Sequence, residues 1–179
     1  MLHSELLPLQ DHHVRIRPLQ DDDAAAFAEG AADPAVLRYG HLPESDYTPA
    51  SVRAMIARDA VPGLAHGNLA VLAVVESTTN AFAGSVVLFD VNEHSAEVGF
   101  WVHQAQRGCG IAVVALNLAA RFAQASGLDM LTARTLPENP ASQRALTGAG
   151  FTLDHRNVET APSGHRVELL HYSRAVREG

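Results

Sequence analysis

The chain has 179 residues, 47% of them hydrophobic and 18% charged, the balance of one folded domain rather than of a disordered chain. A formal net charge of -7 argues against nucleic acid as the main partner, since phosphate binding needs a basic patch, and it favours attraction of cationic molecules such as amines. The single cysteine, Cys109, excludes a disulfide framework and a cysteine-based zinc cluster.

Residues 1–11 carry Glu5 and Asp11 and lack the apolar stretch of a secretory signal. No later run approaches the ~20 apolar residues of a membrane span, so no membrane partner and a reducing cytoplasm are expected. Residues 1–13 are expected to be a flexible segment ahead of a single domain over 14–179. Val14-Arg15-Ile16-Arg17-Pro18-Leu19 alternates as a strand, with Pro18 at its edge or end. Asp21-Asp22-Asp23 supplies acidic residues to the start of a helix running to about Ala32. A turn is expected at Asp33-Pro34 and a loop over 38–47. Thr48-Pro49, a cap and first-turn proline, opens a helix through Val52, Met55 and Ile56.

Three strand-like runs follow, over 69–76, 83–90 and 96–102, separated by turn-rich segments and expected to form an antiparallel meander. A Gly-rich turn over 107–110 leads into a long helix ending near Ser126. Its polar residues Asn117, Arg121 and Gln124 occupy one narrow stripe, so the helix should be packed over most of its surface. Gly127 closes it. A strand over 130–135 precedes Pro137-Glu138-Asn139-Pro140, where Asn139 suits a helix cap and Pro140 the first helical position. Residues 151–160 and 166–174 pair as a terminal hairpin around Pro162-Ser163-Gly164. The order β, α, α, β, β, β, α, β, α, β, β predicts an α/β fold, a mixed sheet with helices on both faces.

The turn Gln106-Arg107-Gly108-Cys109-Gly110-Ile111-Ala112 has a chemistry of its own. Its glycines let several N–H groups converge at a helix start, where the helix dipole adds partial positive charge, and Arg107 can add a full one. A pyrophosphate suits such a place. A P-loop is excluded because the chain has no lysine, and a dinucleotide fingerprint because Val113 stands where its third glycine belongs. Gly108 and Gly110 can also serve simply to make a tight turn.

The stretch from Glu97 to Ala112 resembles the coenzyme A-binding motif of GNAT acyltransferases, Gln/Arg-x-x-Gly-x-Gly/Ala, matched by Arg107, Gly110 and Ala112. Asn139-Pro140-Ala141-Ser142-Gln143-Arg144-Ala145-Leu146, closing with Gly148-Ala149-Gly150-Phe151, resembles the second signature of that family. Its Asn-x-x-Ser form is similar to the ribosomal-protein N-acetyltransferase branch, the RimJ/RimL type. Two departures stand out: Gln104 replaces the proline that often opens the turn, and Leu146 stands where many relatives carry the tyrosine that protonates the leaving thiol.

The resemblance implies a GNAT fold: a central, mostly antiparallel sheet in which one parallel strand pair splays, with helices on both faces. It implies acetyl-coenzyme A as co-substrate, with no metal. Backbone at Trp101 and Val102 would bond the pantetheine arm, and N–H groups of Arg107, Gly108, Cys109, Gly110, Ile111 and Ala112 would hold the pyrophosphate. Asn139 would touch the pantetheine arm, or cap its own helix, or both. Glu97 is the expected general base, through water, unless it is an ordinary solvent-facing strand residue. Ser142 is the residue expected at the coenzyme A sulfur, as a hydrogen-bond donor or proton relay. Cys109 faces the phosphates and is not expected to act as a nucleophile. Tyr39, His41 and Tyr47 are candidates for the acceptor pocket, although loop tyrosines serve packing as often.

The expected function is N-acylation, with acetyl as the leading acyl group, of a small-molecule or peptide amine by direct attack on the thioester. The alternatives are a protein N-terminal acetyltransferase and a catalytically silent acyl-coenzyme A binder. A homodimer formed through the terminal hairpin is a further possibility.

Overall fold

The computed structural model describes residues 1–39, 42–160 and 166–177. Eight strands, β1 (Leu9–Asp11), β2 (Val14–Pro18), β3 (Ala70–Glu76), β4 (Phe82–Phe89), β5 (Ser95–Val102), β6 (Met130–Thr135), β7 (Thr152–Thr160) and β8 (Arg166–Ala175), form one sheet in the order β1-β2-β3-β4-β5-β6-β8-β7. Every neighbouring pair is antiparallel except β5 and β6. The helices are α1 (Ala24–Ala31), α2 (Pro34–Tyr39), α3 (Pro49–Met55), α4 (Val61–His66), α5 (Ile111–Ala125) and α6 (Pro140–Gly148). The expected mixed sheet is therefore the observed one.

Strand alternation sorts the side chains into two cores. From β3, Ala70, Leu72 and Val74 join α5, α6, Ala96, Val98, Leu131, Ala133, Leu170 and Tyr172 on one face. Val71, Ala73 and Val75 join α1, α3 and Trp101 on the other. No residue of β6, β7 or β8 belongs to this second core. Among the described residues, the part of that face over β6, β8 and β7 thus carries none of the second core.

Several local readings needed correction. Residues 1–13, expected to be loose, carry β1, and Leu2 is buried with its N–H donating to Gly67 O at 2.9 Å. Asp33-Pro34, expected as a turn, begins α2: Asp33 Oδ1 accepts from the N–H groups of Ala35 (3.0 Å) and Val36 (3.3 Å), so α2 takes up the start of the expected loop. The helix opened by Thr48 passes through Val52, Met55 and Ile56 as expected and continues beyond them. It runs on to His66 through a wider π-helical turn at Ile56–Ala60. Pro62 has no N–H for the carbonyl four residues back, and the widening precedes it. The Pro162-Ser163-Gly164 turn lies outside the described residues.

One buried ion pair ties the first strand to α1. Arg17 lies against Asp23 in a two-bond fork, with Nη1 to Oδ2 at 2.7 Å and Nη2 to Oδ1 at 2.9 Å. Both side chains are less than a tenth exposed, 9% and 5%. Asp23 also accepts the N–H of Gln20, closing the short turn that feeds the helix.

Candidate active site

β5 and β6 pair in parallel at only three positions, Ser95 with Met130, Ala96 with Leu131 and Glu97 with Thr132. Beyond Glu97 the two strands part. On its other edge β5 stays bonded to β4 as far as Val102, opposite Gly84. The edge of residues 98–102 that faces β6 is therefore free of a strand partner, and peptide groups in such an edge are ready to pair with an amide-bearing chain.

The free edge leads into the glycine turn. Gly108 and Gly110 have φ of +80° and +72°, in the left-handed region, and a Cβ added to either would meet nothing within 4 Å. Both conformations favour glycine for backbone reasons, and the space above them is open. Gly110 is the cap residue of α5 and no side chain caps that end. The first helical N–H to bond back is that of Val114, to Gly110 O at 3.3 Å. The preceding N–H groups of Ile111, Ala112 and Val113 are thus the open donors of a 15-residue helix, the arrangement that holds a phosphate.

Arg107 does not add its charge freely to this place. Its Nη2 donates to Asp33 Oδ1 at 2.8 Å, and that hydrogen bond holds the Asp33 carboxyl below its usual range. The pair ties the turn to the start of α2. Cys109 is exposed, its thiol 3.8 Å from Arg107 O. Trp101 sends its side chain away from the opening and into the second core, edge-on to Phe27 at 5.1 Å between centroids. What it offers at the opening is backbone.

Across the splay, α6 presents its first turn. Asn139 Oδ1 accepts from Ser142 N–H at 3.2 Å, so the capping role is realised. Ser142 is half-buried in the same turn. Leu146 is fully buried in the first core, so this position faces packing rather than solvent.

Glu97 is mostly covered, with 15% of its side chain exposed, and is not the ordinary solvent-facing residue. Its Oε1 accepts from Arg134 Nε at 2.8 Å across the β5–β6 gap. Arg134 Nη1 also donates to Glu159 Oε2 at 3.2 Å, and the Glu97 hydrogen bond pushes the guanidinium above its ordinary range. Glu159 Oε1 lies 2.9 Å from His171 Nε2, and the His171 ring stacks on His155 at 4.4 Å. Arg134, His171, Glu159 and His155 were not singled out from sequence. The signal was present: in Met130–Thr135 and Arg166–Ala175, polar residues alternate with buried Leu131, Ala133, Leu170 and Tyr172. Such alternation marks a strand with one wet face, but not what shares that face.

Of the acceptor candidates, Tyr47 packs edge-on to Phe27 at 5.4 Å, and burial pushes its hydroxyl pKa up. Through Phe27 it reaches Trp101, one side of the splay. Tyr39 is half-buried, with the Arg38 guanidinium 5.1 Å from its ring centroid. His41 lies outside the described residues. Among the described residues, no group of three or more His, Cys, Asp or Glu side chains is placed to hold a metal ion, and no helix is long and apolar enough to cross a membrane.

The model of one protein family, described as acetyltransferase (GNAT) domain, matches residues 13–152. A comparison of the sequence with curated proteins gives no match. Among solved structures, the chain is similar to ribosomal-protein-S5-alanine acetyltransferase from Vibrio fischeri, with a TM-score of 0.81, 18% identity, and coverage of 94% of this chain and 96% of that one. It is also similar to Mycobacterium smegmatis RimJ in complex with CoA-disulfide, with a TM-score of 0.79, 21% identity, and coverage of 90% and 81%. A third similar structure is spermidine N-acetyltransferase from Vibrio cholerae in complex with CoA and spermine, with a TM-score of 0.76, 16% identity, and coverage of 91% and 95%. At these identities the likeness is one of fold.

Proposed function

The chain belongs to the acetyltransferase (GNAT) domain family, and from that premise we propose that it transfers an acetyl group from acetyl-coenzyme A to a primary amine by direct attack. The observation that carries the reading is the free edge of β5 running straight into the open N–H groups at the start of α5. An amide-rich arm ending in a pyrophosphate matches that run of donors in order. On this reading the N–H groups of residues 108–112 hold the pyrophosphate from backbone alone, while Arg107 stays with Asp33 and fixes the turn. The arm lies along residues 98–102, opposite Asn139 and Ser142.

The reacting amine arrives protonated, since an alkyl ammonium has a pKa of roughly 10. Glu97 takes its proton through a water at the carboxylate oxygen that Arg134 does not occupy. The neutral nitrogen then adds to the thioester carbonyl carbon, a C–N bond forms, the now positively charged nitrogen gives its second proton to water, and the C–S bond breaks with its electron pair leaving on sulfur. A thiol of pKa about 8.5, the value for cysteine, departs tolerably as thiolate near neutral pH. A tyrosine at position 146 is therefore dispensable. Ser142 donates a hydrogen bond to the sulfur as charge builds there, and the thiolate is protonated from solvent.

The acceptor enters over the face of β6, β8 and β7 that lies outside the second core, where Glu97, Arg134, Glu159 and His171 lie. That open face also favours a second reading, in which the amine is the N-terminus of a peptide, because an extended chain needs room that a closed pocket denies.

The test is a thermal-shift titration with acetyl-coenzyme A, followed by thiol release with a panel of amines and peptides. Binding to the native state raises the melting temperature by mass action. We expect a shift for the wild type that is lost in Gly110→Trp, whose indole would fill the space above the turn, and thiol release with at least one amine. No shift at millimolar acetyl-coenzyme A would overturn the reading. A shift without thiol release from any amine would leave a silent binder.

A further inference from the structure

Glycine inside a strand weakens it, because it brings no side chain to pack and loses the most freedom on folding. β5 nevertheless carries a half-buried Gly99. Strand alternation puts it on the face of Glu97 and Trp101, since Ala96 and Val98 point into the first core and Trp101 into the second.

Elsewhere glycine answers a local demand. It does so through a positive φ, as at Gly108 and Gly110, or because a neighbour leaves no room for a Cβ, as Trp101 does at Gly30 and Leu69 at Gly63. Among the described residues, Gly99 alone has neither reason. Its φ lies outside the left-handed region, and an added Cβ would meet only Phe89 Cε1, at 3.6 Å, an ordinary van der Waals contact. Neither backbone nor packing asks for glycine here. The remaining use of a strand glycine is the close approach of another molecule.

The position says which molecule. Gly99 is held on one side by β4, opposite Val87, and lies two residues past Glu97, the last residue of β5 paired with β6. It therefore sits within the free edge of residues 98–102. On its own face, the Glu97 side chain stands two residues before it. Two residues after it, Trp101 is drawn under α1 and edge-on to Phe27. Between them the strand face carries no side chain. Two residues of strand span about 6.6 Å. A carboxylate, one water and an amine, joined by two hydrogen bonds, span about 5.6 Å. An amine resting over Gly99 is thus one water away from Glu97.

We infer that Gly99 is a specificity-determining residue, the floor beneath the attacking amine, kept bare so that the nitrogen and the groups on its carbon can come down to the backbone. The inference rests on the acetyltransferase reading above.

The test is Gly99→Ala and Gly99→Val. Each is measured for melting temperature, for the shift given by acetyl-coenzyme A, and for thiol release with two amines. One is an amine that the wild type accepts, the other its analogue with one more methyl on the carbon bearing nitrogen. Gly99→Ala should melt at or above the wild-type temperature and keep the acetyl-coenzyme A shift. Its kcat/KM for the amine should fall about 10-fold, and that of Gly99→Val about 100-fold, with the larger loss for the branched analogue. Wild-type kcat/KM in both variants, or an equal loss with both amines, would overturn the inference and leave the acetyltransferase reading standing. A melting temperature lowered by Gly99→Ala would overturn it too, by showing that packing asks for glycine. So would loss of the acetyl-coenzyme A shift in Gly99→Ala, which would put the close approach at the cofactor. A wild type with no thermal shift or no thiol release overturns the acetyltransferase reading and this inference with it.

Discussion

Asn139 does two jobs on the proposed reading, and two substitutions separate them. Its Oδ1 accepts from Ser142 N–H at 3.2 Å and caps the nine-residue α6. Its Nδ2 is the atom that would donate to the pantetheine arm. Asn139→Asp keeps an oxygen for the cap, and Asp caps about as well as Asn, so stability should hold within a few tenths of a kcal/mol. The amide donor is lost, however, and KM for acetyl-coenzyme A should rise about 10-fold, the ~1.4 kcal/mol of one hydrogen bond. Asn139→Ala loses both functions. Removal of a cap costs about 0.5–2 kcal/mol, which in a domain of this size lowers the melting temperature by roughly 2–4 °C per kcal/mol. Calorimetry and steady-state thiol release on the two variants give the four numbers needed. An unchanged KM in Asn139→Asp beside a destabilised Asn139→Ala would refute the ligand contact and leave only the cap.

Glu97→Gln removes the proposed proton acceptor and should lower kcat/KM by about 10²–10⁴ while acetyl-coenzyme A still raises the melting temperature; wild-type turnover in this variant would remove Glu97 from the chemistry. Leu146→Tyr should not raise kcat, because the position is fully buried; the larger side chain should instead destabilise the fold by about 1–3 kcal/mol, and faster turnover would contradict the placement. Arg17→Met leaves the buried Asp23 carboxylate without its cation and should cost about 3–5 kcal/mol in denaturant unfolding, most of it regained in Arg17→Met with Asp23→Leu; a single variant as stable as wild type would deny the pair its weight. Glu76 accepts a side-chain hydrogen bond from Thr79 and the N–H groups of Thr79 and Thr78, which hold its pKa at about 2 against an ordinary 4.5. Its folded value lies below the unfolded one, so its contribution is present above pH 4.5 and lost as pH falls from 4.5 towards 2. Glu76→Gln should flatten that part of the stability-against-pH curve, and an unaltered acid limb would show that the contacts do not act on folding.

Local signals carried much of the fold. Alternation in residues 14–18, the apolar run in residues 70–76, the Thr48-Pro49 and Asn139-Pro140 caps, and Gly127 after α5 each act within a few residues, and each appears where expected. The misread segments are those where a distant partner decides. Residues 9–11 become a strand because β2 offers them an edge, and Leu2 is buried because Gly67 accepts its N–H. Asp33 serves as a cap rather than a turn residue, and it is also the acid that engages Arg107, 74 positions away.

The same division runs through the site. A glycine turn opening a helix, and a carboxylate on the strand before it, are legible in one dimension, because backbone freedom, helix dipoles and strand period are properties of neighbours in the chain. What those groups face is not. Arg134 meets Glu97 only because two parallel strands part after three paired residues, and Glu159 and His171 join them only through the pairing of β8 with β6 and β7. Sequence determined which chemistry each element carries; the tertiary structure alone decided which charges stand beside one another, since electrostatic neighbours depend on distances in space that chain spacing does not set.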